Sequence, residues 1–257
     1  MTTIERYSDI RAGRHVGHFG GCLIGSAFQP IFNLGQRQTV GFEALLRAHD
    51  DQGRRVPPQD LFQSSSESDC ILLDRLCRAV HVRNFLADAA AGLLFLNVNP
   101  HVSIRGRRYG AFFRDMLERY GLAPGRVVVE IIEGAVQDEA VLAGAVDYYK
   151  EIGCLVAIDD FGAGHSNFDR IWRIRPDIVK LDKSLIAQAV DNPLARRLLP
   201  KLVGLIRESG SLALIEGVET AEQARIALAA GFDLGQGYYF ARPAERAGVE
   251  GDCRAPG

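Results

Sequence analysis

Six short apolar runs along the chain each stop at a side chain able to bind a metal or move a proton. Gly41-Phe42 leads into Glu43, Leu93-Leu94-Phe95-Leu96 into Asn97, and Val127-Val128-Val129 into Glu130. Val156-Ala157-Ile158 leads into Asp159-Asp160, Ile178-Val179 into Lys180, and Leu212-Ala213-Leu214-Ile215 into Glu216. Runs of this length suit strands buried on both faces, as in a parallel sheet. A polar group at the carboxyl end of each is where a (β/α) barrel carries its chemistry.

The elements between the runs agree with that architecture. Ile24 to Phe32 and Thr39 to Arg47, separated by a polar turn, predict an antiparallel hairpin. Leu73, Leu76, Cys77 and Val80 recur at helical spacing. Strands follow at Leu93–Val98, Arg126–Ile131, Cys154–Ile158, Asp177–Leu181 and Leu212–Ile215. Helices are predicted near Tyr109–Tyr120, Asp138–Ile152, Pro193–Ser209 and Ala221–Ala230, the last with Thr220 as its N-cap. Gly237–Phe240 is the final extended piece, and the alternation implies right-handed crossovers. Residues 1–22 show no periodicity and read as a lead-in; 23–245 form the barrel and 246–257 a flexible tail.

A length of 257 residues fits one barrel, and 47% hydrophobic with 24% charged residues is an ordinary globular composition. A net charge of −2 gives no basic field for a nucleic-acid polymer or a membrane, and no apolar stretch is long enough to span one. Five cysteines without a CxxC pair read as reduced thiols of a cytoplasmic protein.

The strand ends carry five carboxylates, an amide and a lysine, which would repel at one mouth unless cations sat among them. Glu43, Leu45 and Arg47 share a strand face and are expected to line one pocket, although an acid near an arginine is more commonly a surface ion pair. Asp159 and Asp160 are adjacent acids that a shared cation would relieve. Asn97 offers a neutral oxygen, or simply caps a turn. Glu130 with Glu133, and Glu216 with Glu219, place one acid at a strand end and a supporting one further on. Lys180 among carboxylates is not a packing residue, and Asp182 shares its face. His15 and His18 lie in the lead-in, His49 and His81 in expected surface regions, and His101 lacks a partner; zinc is disfavoured against Mg2+ or Mn2+.

In this order, Gln29-Pro30-Ile31, Glu43-Ala44-Leu45-Leu46-Arg47, Asn97, Glu130-x-x-Glu133, Asp159 to Gly164, Lys180-Leu181-Asp182, Glu216 to Thr220 and Gln236 to Phe240 resemble the EAL family of bacterial cyclic di-GMP phosphodiesterases. The resemblance implies a modified (β/α)8 TIM-type barrel, α/β in class, with one antiparallel strand. It implies two Mg2+ or Mn2+ ions: the first on Glu43, Asn97, Glu130 and Asp159, the second on Asp159, Asp160 and Glu216. Lys180 would hold the attacking water, Glu133 would steady the Asp159 loop, and Glu219 would support the site. Gln29, Leu45, Arg47, Asp182 and Gln236 are the substrate-binding candidates. The implied reaction is hydrolysis of cyclic di-GMP to linear 5'-pGpG by a homodimer joined near the Asp159 to Asn167 loop. The chain departs from the family pattern at Ile132, Ile215 and His165-Ser166-Asn167, and around Phe62 to Glu67. The competing expectations are a receptor that binds cyclic di-GMP and scarcely cleaves it, and a barrel phosphodiesterase for another nucleotide or a phospholipid.

Overall fold

The computed structural model describes residues 3–63, 65–98, 112–132, 139–163 and 168–248. Among the described residues eleven strands form one sheet: β1 Ser8–Arg11, β2 Arg14–Phe19, β3 Cys22–Asn33, β4 Gln38–His49, β5 Arg55–Val56, β6 Leu93–Asn97, β7 Val127–Ile132, β8 Leu155–Phe161, β9 Ile178–Leu181, β10 Leu212–Ile215 and β11 Leu234–Gly235. Eight of them close a barrel in the order β3, β11, β10, β9, β8, β7, β6, β4, with β4 returning to β3. β3 runs antiparallel to both neighbours, and the other seven are parallel. The expected barrel with one antiparallel strand is therefore what the chain forms.

The helices are α1 Pro58–Gln63, α2 Glu67–Ala87, α3 Phe112–Tyr120, α4 Glu139–Ile152, α5 Phe168–Ile174, α6 Lys183–Asp191, α7 Pro193–Glu208 and α8 Ala221–Ala230. None of the described helices is long and apolar enough to cross a membrane. Thr220 caps α8 as expected: its side chain accepts from the Gln223 N–H, and Gln223 reciprocates.

Period-two alternation divides the apolar residues into two cores. Outward-facing Leu94, Leu96, Val127, Val129, Val156, Ile158, Val179 and Ala213 pack against the helices in the larger one. Inward-facing Ile31, Phe95, Val128, Ala157, Ile178, Leu214 and Leu234 fill the barrel axis. The inward position on β4 is Gly41, where a Cβ would come 2.4 Å from the Leu93 carbonyl oxygen. A side chain there would push β4 off β6.

Several elements differ from expectation for identifiable reasons. The lead-in residues 3–22 carry regular structure that their sequence does not show: β1 and β2 form an antiparallel pair, and β2 joins β3 through Gly17↔Ile24. Asn84 of α2 holds them by donating to the His15 carbonyl and accepting from its N–H, both at 2.8 Å. The last strand is Leu234–Gly235, whereas Gly237–Phe240 is a turn stabilised by Phe240 N–H to the Gly237 carbonyl. The chain also stays packed beyond residue 246, since Ala247 is buried and donates to Asp88 Oδ2 at 2.9 Å. The remainder of the expected tail, His101 and the His165-Ser166-Asn167 segment lie outside the described residues.

His81 is not at the surface. It is 5% exposed on α2, and its Nδ1 lies 2.7 Å from Ser26 Oγ of β3. Burial, then the nearby positive charge of Arg47, lowers its pKa to about 3. The unfolded chain thus takes up a proton near pH 6.5 that the folded chain refuses until about pH 3, and stability is lost as pH falls through that window. His81→Gln is expected to flatten this dependence. Urea unfolding at pH 7 and pH 4.5 should show wild type losing about 2 kcal/mol more than the variant.

Candidate active site

Each inward apolar residue of the barrel is followed, two positions toward the carboxyl ends of the parallel strands, by a polar one. Phe95 precedes Asn97, Val128 precedes Glu130, Ala157 precedes Asp159, Ile178 precedes Lys180, Leu214 precedes Glu216 and Leu234 precedes Gln236. On antiparallel β3 the step runs backwards, from Ile31 to Gln29, and on β4 it runs from Gly41 to Glu43. The polar layer therefore lies directly on the apolar plug.

At its centre the fully buried Lys180 Nζ stands 2.6 Å from Glu130 Oε1, 2.8 Å from Glu216 Oε1, 3.0 Å from Asp159 Oδ1 and 4.0 Å from Glu43 Oε1. Burial opposes the ammonium charge, but Asp159, Glu130, Glu43 and Glu216 outweigh it and hold the group well above its usual pKa. Glu43 is gripped by amides: Asn97 Nδ2 donates to Oε1 at 2.9 Å and Gln236 Nε2 to Oε2 at 2.8 Å.

β8 brings two adjacent acids to one place. A regular strand sends neighbours to opposite faces, but the β8–β9 register shifts between Ile158 and Phe161, and Asp160 has φ +59°. The bulge turns Asp160 back to the mouth, where its carboxylate, that of Asp159 and that of Glu216 come within 4.8 Å of one another. Strand pairing thus continues past Ile158 to Phe161, further than the sequence pattern indicates.

The mouth thus gathers five carboxylates, four of them within 4.0 Å of one ammonium. Burial raises the pKa of Glu130 well above the carboxylate range despite Lys180; burial and then Asp159 raise that of Asp160. Burial, opposed by Lys180, lifts Glu216 to about 7. The donor set fits hard divalent cations. All of it is oxygen, three carboxylates lie within bridging distance, and Glu130 Oε2 is buried with no hydrogen-bond partner among the described residues. Lys180 Nζ occupies the middle of this oxygen cage as a monovalent substitute would.

Above the layer opens a polar cleft of about 320 Å³, lined by Gln29, Glu43, Asp160, Asp182, Glu216 and Glu219 together with Gln236 and Tyr238. Asp182 also caps α6 by accepting from the Ser184 N–H at 2.9 Å, and Gln29 donates to the Ala241 carbonyl at 3.2 Å. Glu219 is exposed at the rim, and Glu133 lies outside the described residues.

Leu45 and Arg47 do not line the pocket that holds Glu43. β4 outruns β6, whose pairing ends at Ala44↔Leu96, so Leu45 reaches the free strand edge and a separate cavity beside α1 and α2. Arg47 lies further out, in a third cleft against β2. Lys183 was not singled out by the sequence pattern, yet it lines the main cleft. The neighbouring Gly217 marks it: with φ +62°, a Cβ there would lie 2.3 Å from Lys183 Cβ.

A closed barrel with one reversed strand and an acidic, lysine-centred mouth defines a class, and the comparisons give it a name. A family model described as the EAL domain matches residues 21–243, and the chain belongs to that family. Among its relatives are the Escherichia coli cyclic di-GMP phosphodiesterase PdeF and the Pseudomonas aeruginosa cyclic di-GMP phosphodiesterase RocR. PdeF is 27% identical over 226 residues, covering 84% of this chain and 29% of PdeF. RocR is 27% identical over 221 residues, covering 84% and 56%. The chain spans only 26% to 33% of the first relatives it matches. A standalone EAL protein from Vibrio cholerae, solved with c-di-GMP bound, superposes with TM-score 0.77 at 27% identity, covering 87% of this chain and 94% of that one. Klebsiella pneumoniae BlrP1, solved with manganese and c-di-GMP, gives 0.77 at 25% identity, covering 86% and 56%.

Replacing Lys180 with methionine would leave Glu130, Glu216 and Asp159 without their cation. Lys180→Met in metal-free buffer at pH 8 is expected to lose about 3 kcal/mol of stability, read by urea unfolding. An unchanged midpoint would show that the ammonium does not hold the mouth together.

Proposed function

We propose that the chain hydrolyses one 3'-5' phosphodiester of cyclic di-GMP to linear 5'-pGpG with two Mg2+ or Mn2+ ions. The observation that carries this reading is the oxygen cage around Lys180, with Asp159, Asp160 and Glu216 within 4.8 Å. The names of PdeF and RocR, and the ligands of the Vibrio and Klebsiella structures, supply the substrate and the class of metal.

Glu43, Asn97, Glu130 and Asp159 would hold the first ion, and Asp159, Asp160 and Glu216 the second. Bound divalent ions supply charge neutralisation for the phosphoryl oxygens and lower the pKa of water. Lys180 Nζ would orient the attacking water by donating to its oxygen. As that oxygen would bond to phosphorus, the P–O3' bond would break and the 3' oxygen would depart on the opposite side, taking a proton from solvent water to become the 3' hydroxyl of linear pGpG. Glu216, whose carboxylate stands beside those of Asp159 and Asp160, would take the water's proton. Gln29, Asp182 and Gln236 would position the dinucleotide, with Glu133 and Glu219 in support. The cytoplasmic setting belongs to the same proposal.

Asp160 is exposed, so Asp160→Asn should fold as wild type. It is expected to cut pGpG release by about 100-fold, with an increase in the Mn2+ needed for half-maximal rate. Wild-type rates in this variant, or turnover in the presence of chelator, would overturn the two-ion scheme. Tight cyclic di-GMP binding by wild type without any product would assign the chain as a receptor instead.

The homodimer is part of the same reading, supported by the exposed face of α5. Trp172 is 58% exposed and Phe168 40%, next to the Asp159 loop. Trp172→Arg is expected to shift sedimentation from dimer to monomer. A wild type that sediments as a monomer at micromolar concentration would remove the dimer.

A further inference from the structure

The β1–β2 hairpin lies ahead of the residues matched by the family model, and it walls a cleft distinct from the acidic mouth. This cleft, about 470 Å³, opens where β2 splays from β3 around Asn84. Its described lining includes four arginines, Arg11, Arg14, Arg47 and Arg55, against one carboxylate, Glu245.

The arginines are unequally committed. Arg14 is held by Asp88 Oδ1 at 2.5 Å and by the Glu245 carbonyl. Among the described residues Arg11 has only a loose contact of 3.9 Å with Asp9, both side chains being more than half exposed. Arg47 donates to its neighbour's carbonyl, Leu46 O, at 3.0 Å, and neither it nor Arg55 makes an ion pair among the described residues. Half-buried Arg47 is also disfavoured as a cation by burial and then by Arg55. In the same cleft His15 Nδ1 is buried with no hydrogen-bond partner among the described residues. Unpaired guanidinium groups and an idle ring nitrogen around a cavity of this size are the inverse of the acidic mouth: they lack an anion.

We propose that this cleft binds a nucleotide phosphate, with Arg11 and Arg55 contributing charge from outside the acidic mouth. The inference rests on the phosphodiesterase reading for its ligand class. Arg47 shares a strand face with Glu43 four residues earlier, about 13 Å along β4. One ligand can therefore touch both clefts, which makes the distal phosphate of the bound cyclic dinucleotide the first source and a separate guanine nucleotide the second.

The test uses the full chain and the double variant Arg11→Glu/Arg55→Glu, whose side chains are exposed. Cyclic di-GMP turnover with Mn2+ and binding of GMP by equilibrium dialysis are measured, the latter with cyclic di-GMP saturating. A distal-phosphate role predicts KM raised about tenfold with kcat within about twofold. A separate nucleotide predicts unchanged KM and loss of GMP binding. Wild-type KM together with wild-type GMP binding, in a variant with the wild-type thermal melt, overturns the proposal. If the double variant does not fold, Arg55→Gln alone is expected to move the same readout by about threefold. If wild type releases no pGpG, the phosphodiesterase reading fails separately, and direct binding of cyclic di-GMP and GMP to wild type and variant still decides the cleft.

Discussion

One buried ammonium shared by four carboxylates is the constraint around which this molecule is organised. Lys180 is wholly removed from water, so its charge persists only because Glu130, Asp159, Glu216 and Glu43 surround it. Those carboxylates in turn tolerate one another only because Lys180 is there. Such mutual dependence demands fixed distances, and the barrel supplies them by seating Glu130, Asp159 and Glu216 two residues after an inward side chain locked in the apolar plug, and Glu43 two residues after the close β4–β6 approach at Gly41. Ordering these side chains on loops would forfeit that precision.

The same barrel is irregular at the points where regular geometry would fail the site. The bulge after Ile158 rotates Asp160 toward the mouth, at the cost of a left-handed backbone at a residue with a Cβ. The long β3–β4 ribbon continues beyond β6, so β4 projects Glu43, Leu45 and Arg47 into three successive clefts of different character. One is acidic, one mainly apolar and one basic. Their common strand carries a carboxylate at one end of this series and a guanidinium group at the other.

The parallel strands were legible because burial on both faces writes itself as an apolar run ending in a polar stop, from Phe95–Asn97 to Leu214–Glu216. The reversed strand was legible through the polar turn of its hairpin. Other features depend on contacts that sequence spacing does not encode. His81 is buried because it meets Ser26, 55 residues away. β2, with Arg14, His15, Val16, Gly17, His18 and Phe19, does not alternate, since it is a partly exposed strand held by Asn84. Helix α6 escaped notice because its cap, Asp182, reads as a site residue, and it serves in both ways. The separation of Arg47 from Glu43 is invisible to a period-two argument, which fixes the face of a strand but not how far its neighbours accompany it.

The excess of carboxylates at the mouth also ties its protons to any positive charge nearby. With one ammonium facing five carboxylates, the structure relieves the excess by raising the pKa values of Glu130, Asp160 and Glu216. A divalent cation would favour the ionised form of each group and so displace protons from the same oxygens. Lys180 has the opposite relation to such a cation, because both are positive and both seek Glu130, Asp159 and Glu216. Its flexible four-carbon stem allows the ammonium to withdraw from the centre while remaining beside the carboxylates. Under the proposed two-ion scheme, the residue that holds these carboxylates together is also the one that would direct the water.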